Sequence, residues 1–461
     1  MRAFSGCCLK FDRYASAPLS ALTGVVRGFV DFFFQWGLHF LKENSMDQLA
    51  PTREKAPINP ALSSHLKARI EREFTTRWDT LWKGRSLLHG REAGSEAVRL
   101  NGNDYLSLTG HPQIVQAQTN AIKADAEFVI QSGVFLLDAH PARKLELKLA
   151  AFLGKEDGLI CQSGYAANLG LLQSIADDQT TIFMDSLAHT SLWEGARRAG
   201  ACVHPFRHND PQHLDRLIER HGPGLVVVDS IYSTTGAVCP LEAVVEVAER
   251  RSCMILVDES HSLGTHGPEG AGLCAALGLS DRVHFITASL AKAFAGRAGF
   301  LTLPADMRNY VLGTSYPNVF SSCLLPHEIA ALDATLDVIR SSDAERQHLH
   351  AHTRMLRESL ANLGYPIHQG TEQIIALEAG TEPDTMVLRD LLEERDVFGA
   401  VFCAPATSRN RAMVRLTLHA ALTDAELDHV TSVAREIAPL LKPWDWPIAR
   451  RARTAGLNRL G

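Results

Sequence analysis

The sequence predicts an α/β fold in which a large domain, built on a mostly parallel, doubly wound sheet, is followed by a smaller α+β domain. Two observations carry this expectation. Between residues 157 and 304, short apolar runs rich in β-formers alternate with stretches of helical spacing, the pattern of repeated βαβ units. After residue 326 the pattern changes to longer helices, then short strands and a closing helix, which marks a second domain.

In chain order the predicted strands are "DGLICQSG" (157–164), "TTIFMD" (180–185), "GLVVVDS" (224–230), "CMILVDES" (253–260), "RVHFITAS" (282–289) and "AGFLTLP" (298–304). Most are apolar throughout instead of alternating with period two, as expected when helices cover both faces of a parallel sheet. Between them "YAANLGLLQSIA" (165–176), "SLWEGARRAG" (191–200), "PQHLDRLIERHG" (211–222) and "LEAVVEVAERR" (241–251) have the spacing and length of helices. The long helical stretch of the second domain spans 327–364. The expected organisation is an N-terminal extension (1–58), a segment joining the small domain (59–112), the large domain (113–325), the small domain (326–445) and a solvated basic tail (446–461).

The chain of 461 residues is 46% hydrophobic and 21% charged, enough to bury one large core or two. Its formal net charge of -6 argues against a nucleic-acid role and leaves small molecules or other proteins as partners. Nine cysteines occur without a CxxC pair or a His/Cys cluster at metal-ligand spacing, so neither a zinc site nor a disulfide framework is expected. A reducing, cytoplasmic setting follows as the default. The stretch 19–41 is long and apolar enough to raise the question of a membrane span, but Arg27 and Asp31 lie inside it, and charge near a helix centre is costly in lipid. An interfacial or partner-binding segment fits better, and Met46 opens an ordinary soluble sequence that would serve as an alternative start.

In open α/β sheets ligands collect at the carboxyl ends of the strands. Five strand ends here deliver polar groups: Ser163, Gly164 and Tyr165; Asp185, His189 and Ser191; Ser230 and Tyr232; Asp258, Ser260 and His261; Ser289 and Lys292. Each has a plain structural explanation taken alone, as a cap, a turn or a hydrogen-bonded histidine. The shared habit of all five ends does not. Lys292 stands in "TASLAKAFAGRAGF" (287–300) among small and apolar neighbours, where desolvation suits an amine nucleophile better than a surface ion. The set fits pyridoxal 5'-phosphate: Lys292 for its aldehyde, Asp258 for its pyridine nitrogen, and Ser163, Gly164, Tyr165 and Ser289 for its phosphate at a helix start. His189 is then the aromatic plate over the ring, and His261 or Ser230 the donor to its hydroxyl.

The motifs "NDYLSLTGHP", "CQSGYAANLGLL", "DSLAHTSLWEGAR", "VVVDSIYSTTG", "LVDESHSLGTHGPEGAGL", "TASLAKAF" and "VRLTLHA" occur in the order and relative spacing of the α-oxoamine synthases, which the chain resembles over residues 60–440. The resemblance implies a fold-type I pyridoxal phosphate enzyme that joins an amino acid to an acyl-CoA. It assigns Lys292 to the cofactor's aldehyde, Asp258 to the pyridine nitrogen, His261 to the ring hydroxyl and His189 to ring stacking. It further implies that Arg415 grips the substrate carboxylate, a task that suits a planar bidentate group. Ser321 and Ser322 in "FSSCLLP" match a stretch that reaches the neighbouring subunit's phosphate, so the resemblance implies a homodimer with shared sites.

Departures from the wider family narrow the expectation. Where many members carry a Gly/Ser/Arg-rich loop, this chain has "QSGVFLLDAHP" (131–141), and Thr234-Thr235 replaces a Met-Asp pair. Such strings look like the α-hydroxyketone quorum-sensing autoinducer synthase branch. That branch implies a medium-chain acyl-CoA and, as amine donor, a small amino acid of the 2-aminobutyrate type or S-adenosylmethionine. The apolar "GVFLL" (133–137) lines an acyl channel on one reading and packs in a core on the other. The competing expectations are a conventional α-oxoamine synthase making a biotin, haem, 2-amino-3-ketobutyrate or sphingoid-base product, an aminotransferase, and a catalytically silent binding subunit.

Overall fold

The computed structural model describes residues 62–124 and 130–451. The apolar stretch 19–41 lies outside the described residues, as do residues 452–461 of the expected tail. Contacts divide the chain into a unit ending at Glu71 and a unit from Arg72 onward. Of the first, the described part is the start of helix Ser64–Glu73, which buries none of its side chains. Among the described residues no helix is long and apolar enough to cross a membrane.

The unit from Arg72 holds two sheets. Strand β1 (Val98–Leu100) belongs to the smaller one. The larger one is built from β2 (Asp157–Cys161), β3 (Thr181–Asp185), β4 (Cys202–Phe206), β5 (Leu225–Asp229), β6 (Met254–Asp258), β7 (Phe285–Ser289) and β8 (Gly299–Leu303). Its order is β2-β8-β7-β6-β5-β3-β4, parallel from β7 through β4, with β8 antiparallel to both neighbours. All six strands read from the sequence are present. The seventh, β4, escaped because "CVHPF" carries histidine and proline; it lies at the sheet edge, where a missing N–H is tolerated.

The continuous apolarity of these strands has a direct structural cause. In β5, Leu225 and Val227 join one buried cluster while Val226 and Val228 join the other; in β6, Leu256 faces the first and Ile255 and Val257 the second. Successive side chains point to opposite faces, and both faces are covered by helices. Helices Gly164–Ile175 and Thr190–Ala199 pack on the first face, whereas Pro211–His221 and Leu241–Arg250 contribute to the second cluster.

The four-stranded sheet has the order β1-β10-β11-β9, with β9 (Ile374–Gly380), β10 (Val397–Phe402) and β11 (Ala412–Thr417) antiparallel and β1 added parallel to β10. Helices Pro326–Ser341, Asp343–Asn362, Glu382–Glu393 and Asp424–Leu441 complete this part of the chain. The tail expected from 446 begins later. Trp446 and Ile448 are buried, Trp446 packs edge-on against Tyr365, and Arg451 pairs with Glu378. The burial of two large apolar groups outweighs the solubility of the basic residues that follow.

Candidate active site

Asp258 closes β6, in register with Asp229 of β5 on one side and Thr287 of β7 on the other. Its carboxylate is buried and accepts from Asn168 Nδ2 at 2.7 Å and from the Ser260 amide at 2.8 Å. Asp229 is also buried, and burial together with the charge of Asp258 pushes its carboxyl well above the usual range. Burial thus favours the protonated form of Asp229, whose carboxyl accepts from the His189 amide at 3.2 Å.

Lys292 lies in the turn after β7, half-buried beside Ala293 and Phe294, which are fully buried. Burial lowers its ammonium to about 8, and the attraction of Asp258 does not offset that effect; the Arg415 charge adds to it. The small residues around Lys292 are a packing requirement: a Cβ at Gly296 would lie 2.5 Å from Leu332 Cδ2. The outcome is an amine that is still mainly protonated near physiological pH but has a far larger neutral fraction than a surface lysine, which favours use as a nucleophile or proton acceptor.

His189 caps the N-terminus of helix Thr190–Ala199, with Nδ1 accepting from the Ser191 amide at 3.3 Å and facing Ser191 Oγ at 2.7 Å. Ser191 Oγ in turn accepts from Asn168 Nδ2 at 2.8 Å, so its own proton points to His189. Both contacts make Nδ1 an acceptor and place the His189 proton on Nε2. Burial lowers the pKa of this imidazole. His261 is buried after β6, its Nδ1 2.5 Å from the hydroxyl of the fully buried Tyr105, and burial followed by the Lys292 and Arg415 charges holds it well below the usual histidine range. Arg415 on β11 donates to Ser233 O at 2.8 Å and Asn103 Oδ1 at 2.9 Å, with its guanidinium 4.5 Å from the Phe402 ring centre. Its buried Nε has no hydrogen-bond partner among the described residues, leaving donor capacity for an anion.

Ser163 caps helix Gly164–Ile175 through its Oγ, which accepts from the Ala166 amide at 3.1 Å. Glycine is required next: a Cβ on Gly164 would lie 2.6 Å from Ser289 Cβ and 2.7 Å from its Cα. Ser289 is fixed in turn by its amide, which donates to Ser260 Oγ at 2.7 Å. Tyr165 is exposed on the first helical turn. A helix N-terminus, serine hydroxyls and a close glycine contact form an anion-binding cradle. With the charged carboxylate of Asp258, the depressed amine of Lys292 and the planar face of His189, the residues present fit pyridoxal phosphate.

Three expected residues make other contacts. Ser230 Oγ donates to Asp258 O at 3.0 Å and meets Ser262 Oγ at 2.6 Å, so it braces the turn after β6. Ser321 and Ser322 are exposed; Ser321 Oγ donates to Pro317 O at 2.6 Å and Ser322 O accepts from Gln162 at 2.8 Å. Asn168, Tyr105 and Asp229 were not singled out from the sequence as site residues. Asn168 offered a signal, an amide on the buried face of an otherwise apolar helix. The stretch "GVFLL" is not core: Phe135 and Leu137 are 65% and 77% exposed. Its Gly133, Leu136 and Leu137 border a cavity with Leu159, Leu312 and Leu324.

Residues 95–433 match the family model described as aminotransferase class I and II. The chain is 46% identical over 380 residues to a CAI-1 autoinducer synthase from Vibrio campbellii, covering 82% of this chain and 96% of that protein. It is 33% identical to an 8-amino-7-oxononanoate synthase from Anaeromyxobacter dehalogenans, over 78% of this chain and 91% of that one. Among solved structures, a serine palmitoyltransferase from S. paucimobilis superposes with a TM-score of 0.76 at 22% identity, covering 82% of this chain and 99% of that chain. The cofactor of the group is pyridoxal phosphate, and the strand-end cluster around Lys292 is built to hold it. On this combination of sequence match, fold and site geometry, the chain belongs to the aminotransferase class I and II family and, within it, to the α-oxoamine synthases.

Proposed function

We propose that this chain condenses a medium-chain fatty acyl-CoA with a small amino acid of the 2-aminobutyrate type, or with S-adenosylmethionine, to give the amino ketone precursor of an α-hydroxyketone signal. The observation that carries the reading is the Lys292 amine, lowered to about 8, set against the buried carboxylate of Asp258. The 46% identity to a CAI-1 autoinducer synthase supports an autoinducer precursor as the product. With an amino acid, a carbon–carbon bond forms between its α-carbon and the acyl carbonyl carbon, the thioester C–S bond breaks, CoA leaves as the thiol and the carboxylate departs as carbon dioxide.

Pyridoxal phosphate, when bound, supplies an electron sink for the α-carbon. The protein's own groups do the rest. Asp258 holds a negative charge toward the ring nitrogen, fixed by Asn168 and the Ser260 amide. Lys292 would hold the cofactor's aldehyde, and its free amine would accept the α-proton at Nζ. His189 presents Nε2–H to the reacting centre, and Arg415, with Nε uncommitted, receives the substrate carboxylate.

The assembly is a homodimer in this reading. Ile130, Phe135, Leu137, Tyr316 and Phe320 are exposed, and the two segments that carry them are joined by the Ser132–Ser322 bridge and by the Cys323 amide, which donates to Gln131 O at 2.8 Å. A patch of this kind is covered in a stable protein, and it contains Ser321 and Ser322. The reaction is tested by CoA thiol release and product mass with the pyridoxal-phosphate-loaded protein over a grid of acyl-CoAs and amine donors. Release with medium-chain acyl-CoA, an amino-ketone mass and loss of both in Lys292→Ala support the reading. A product formed from pimeloyl-type, succinyl, acetyl or long-chain donors in its place moves it to a conventional α-oxoamine synthase, and no release with any pair overturns it.

A further inference from the structure

Outside the cluster around Lys292, three side chains from distant parts of the chain point at one spot. His266 lies in the turn after β6, His350 on helix Asp343–Asn362, and Glu372 just ahead of β9; His266 and Glu372 are 106 residues apart in sequence. One ligand-type atom from each lies within 4.8 Å of the other two. His266 Nε2 is 2.9 Å and His350 Nδ1 3.8 Å from the same oxygen, Glu372 Oε2. These separations straddle the spacing of about 3.3 Å that two ligands about 2.0–2.1 Å from zinc take at the tetrahedral angle.

Each of the three groups also has an outer partner, and the one of His350 fixes its tautomer. His350 Nε2 faces the carbonyl oxygen of Thr265 at 2.8 Å. A carbonyl accepts and never donates, so the proton of a neutral His350 is on Nε2 and the lone pair on Nδ1 points inward. Thr265 Oγ1 lies 2.9 Å from His266 Nδ1 and donates to Ser262 O at 3.0 Å, so it can accept from an Nδ1–H, the tautomer that turns the Nε2 lone pair inward; in the other tautomer Nε2–H donates to Glu372 Oε2 at 2.9 Å. Glu372 Oε1 accepts from Thr371 Oγ1 at 2.9 Å, and Oε2 is the oxygen left for the interior of the cluster. With the His266 proton on Nδ1, acceptor atoms of all three groups face one spot, an arrangement a cation would fill, and outer hydrogen bonds of this kind are what hold metal-binding histidines in place.

We propose that His266, His350 and Glu372 form a binding site for one divalent transition metal of the zinc class, with a fourth position open to solvent. Two imidazoles and one carboxylate suit a borderline-soft ion better than calcium or magnesium. Arg354, one turn along the helix from His350, disfavours a cation, and the carboxylate of Glu372 offsets it. The site joins the turn that carries His261 to the helix and strand of the small sheet. Gln373, next to Glu372, already donates to His261 O at 2.9 Å. A bound ion thus pins the segment that positions a cofactor-facing histidine, without taking part in the reaction. A scan for metal-ligand spacing misses the trio because no two of its members are close in sequence.

The test is Co²⁺ titration of the chelator-treated, pyridoxal-phosphate-loaded full chain, read by visible d–d absorption, with Zn²⁺ displacement and thermal melting in parallel. The expected result is one equivalent of Co²⁺ bound with a band of low-symmetry, four- or five-coordinate intensity, displaced by Zn²⁺, which also raises the melting temperature. His350→Ala abolishes the band. Glu372→Gln, which keeps the shape and the Thr371 contact, weakens binding at least tenfold, and Thr265→Val weakens it about 10- to 100-fold through the lost outer partner of His266. Exposed Cys202, 3.5 Å from His204 Nε2, is a competing thiol site, so each titration is repeated in Cys202→Ala. Absence of the band, or a band that survives His350→Ala and Glu372→Gln, overturns the proposal and leaves the trio as a proton-bridged His–Glu pair.

Discussion

Asn168→Ala removes one amide with two buried dependants, and the structure gives the scale of the loss. Asn168 is 1% exposed and its Nδ2 donates to Asp258 Oδ2 at 2.7 Å and Ser191 Oγ at 2.8 Å. A hydrogen bond to a charged group contributes about 1.5–3 kcal/mol and one between neutral groups about 0.5–1.5 kcal/mol. Asp258 keeps the Ser260 amide and Ser191 keeps His189, so neither partner is orphaned and the lower part of the combined range applies. The expected destabilisation is about 2–3 kcal/mol, measured by urea unfolding of the protein without cofactor at neutral pH. The same substitution frees the Asp258 carboxylate to rotate, so the dissociation constant for pyridoxal phosphate rises at least tenfold, or about 1.4 kcal/mol. The His189 tautomer survives, because the Ser191 amide still donates to Nδ1. Unfolding within about 0.5 kcal/mol of the parent, with unchanged cofactor affinity, would refute the claim that Asn168 braces the site.

Three further outcomes are expected. In the protein without cofactor, Lys292 at about 8 lies below its unfolded value of 10.5, so the unfolded chain binds more protons between those limits and stability rises with pH across that window. The pH-dependent difference between parent and Lys292→Met, read by chemical denaturation from pH 7 to 10.5, isolates this contribution; a flat difference contradicts the burial argument. Gly164→Ala drives a Cβ to within 2.7 Å of Ser289 Cα, a backbone atom that cannot yield, and is expected to cost about 1–3 kcal/mol with a loss of phosphate and cofactor affinity by spectroscopic titration. Phe320→Asp, at a residue 75% exposed, is expected to dissociate the dimer in light scattering while leaving the monomer folded; a dimer that persists removes the patch from the interface.

The sheet was legible in the sequence because its strands carry information on both faces. Leu225 to Val228 alternate between two clusters, so an unbroken apolar run is what burial on both sides demands. Strand β4 was not legible, since an edge strand needs only one good face and tolerates Pro205. At the site, Lys292, Asp258, His189 and His261 stood out because each is a titratable group at a strand end. Asn168 and Tyr105 did not, because their roles depend on partners 90 and 156 residues away in sequence. The burial of Trp446 and Ile448 was hidden by the arginines that follow them.

The paired carboxylates of β5 and β6 show how a parallel sheet prepares a site before any ligand arrives. Register places Asp229 directly beside Asp258, a costly arrangement if both were charged. The chain resolves the conflict by asymmetry. Asp258 receives two donors, the Asn168 amide and the Ser260 backbone, whereas Asp229 receives one at 3.2 Å and is pushed well above the usual carboxylate range by burial and by its neighbour's charge. The protonated form of Asp229 is thereby favoured beside the hydrogen-bonded carboxylate of Asp258, at the strand end nearest the turn that bears Lys292. Two titratable groups whose environments differ in this way act as a fixed dipole, and that dipole orients a protonated ring nitrogen without a conformational change. Asp229→Asn preserves the shape and the neutrality of its position, so it is the milder substitution; Asp258→Asn removes the charge itself. A cofactor affinity nearly unchanged in the first and strongly reduced in the second follows from this division, and equal losses in both would mean that the charge is shared across the pair.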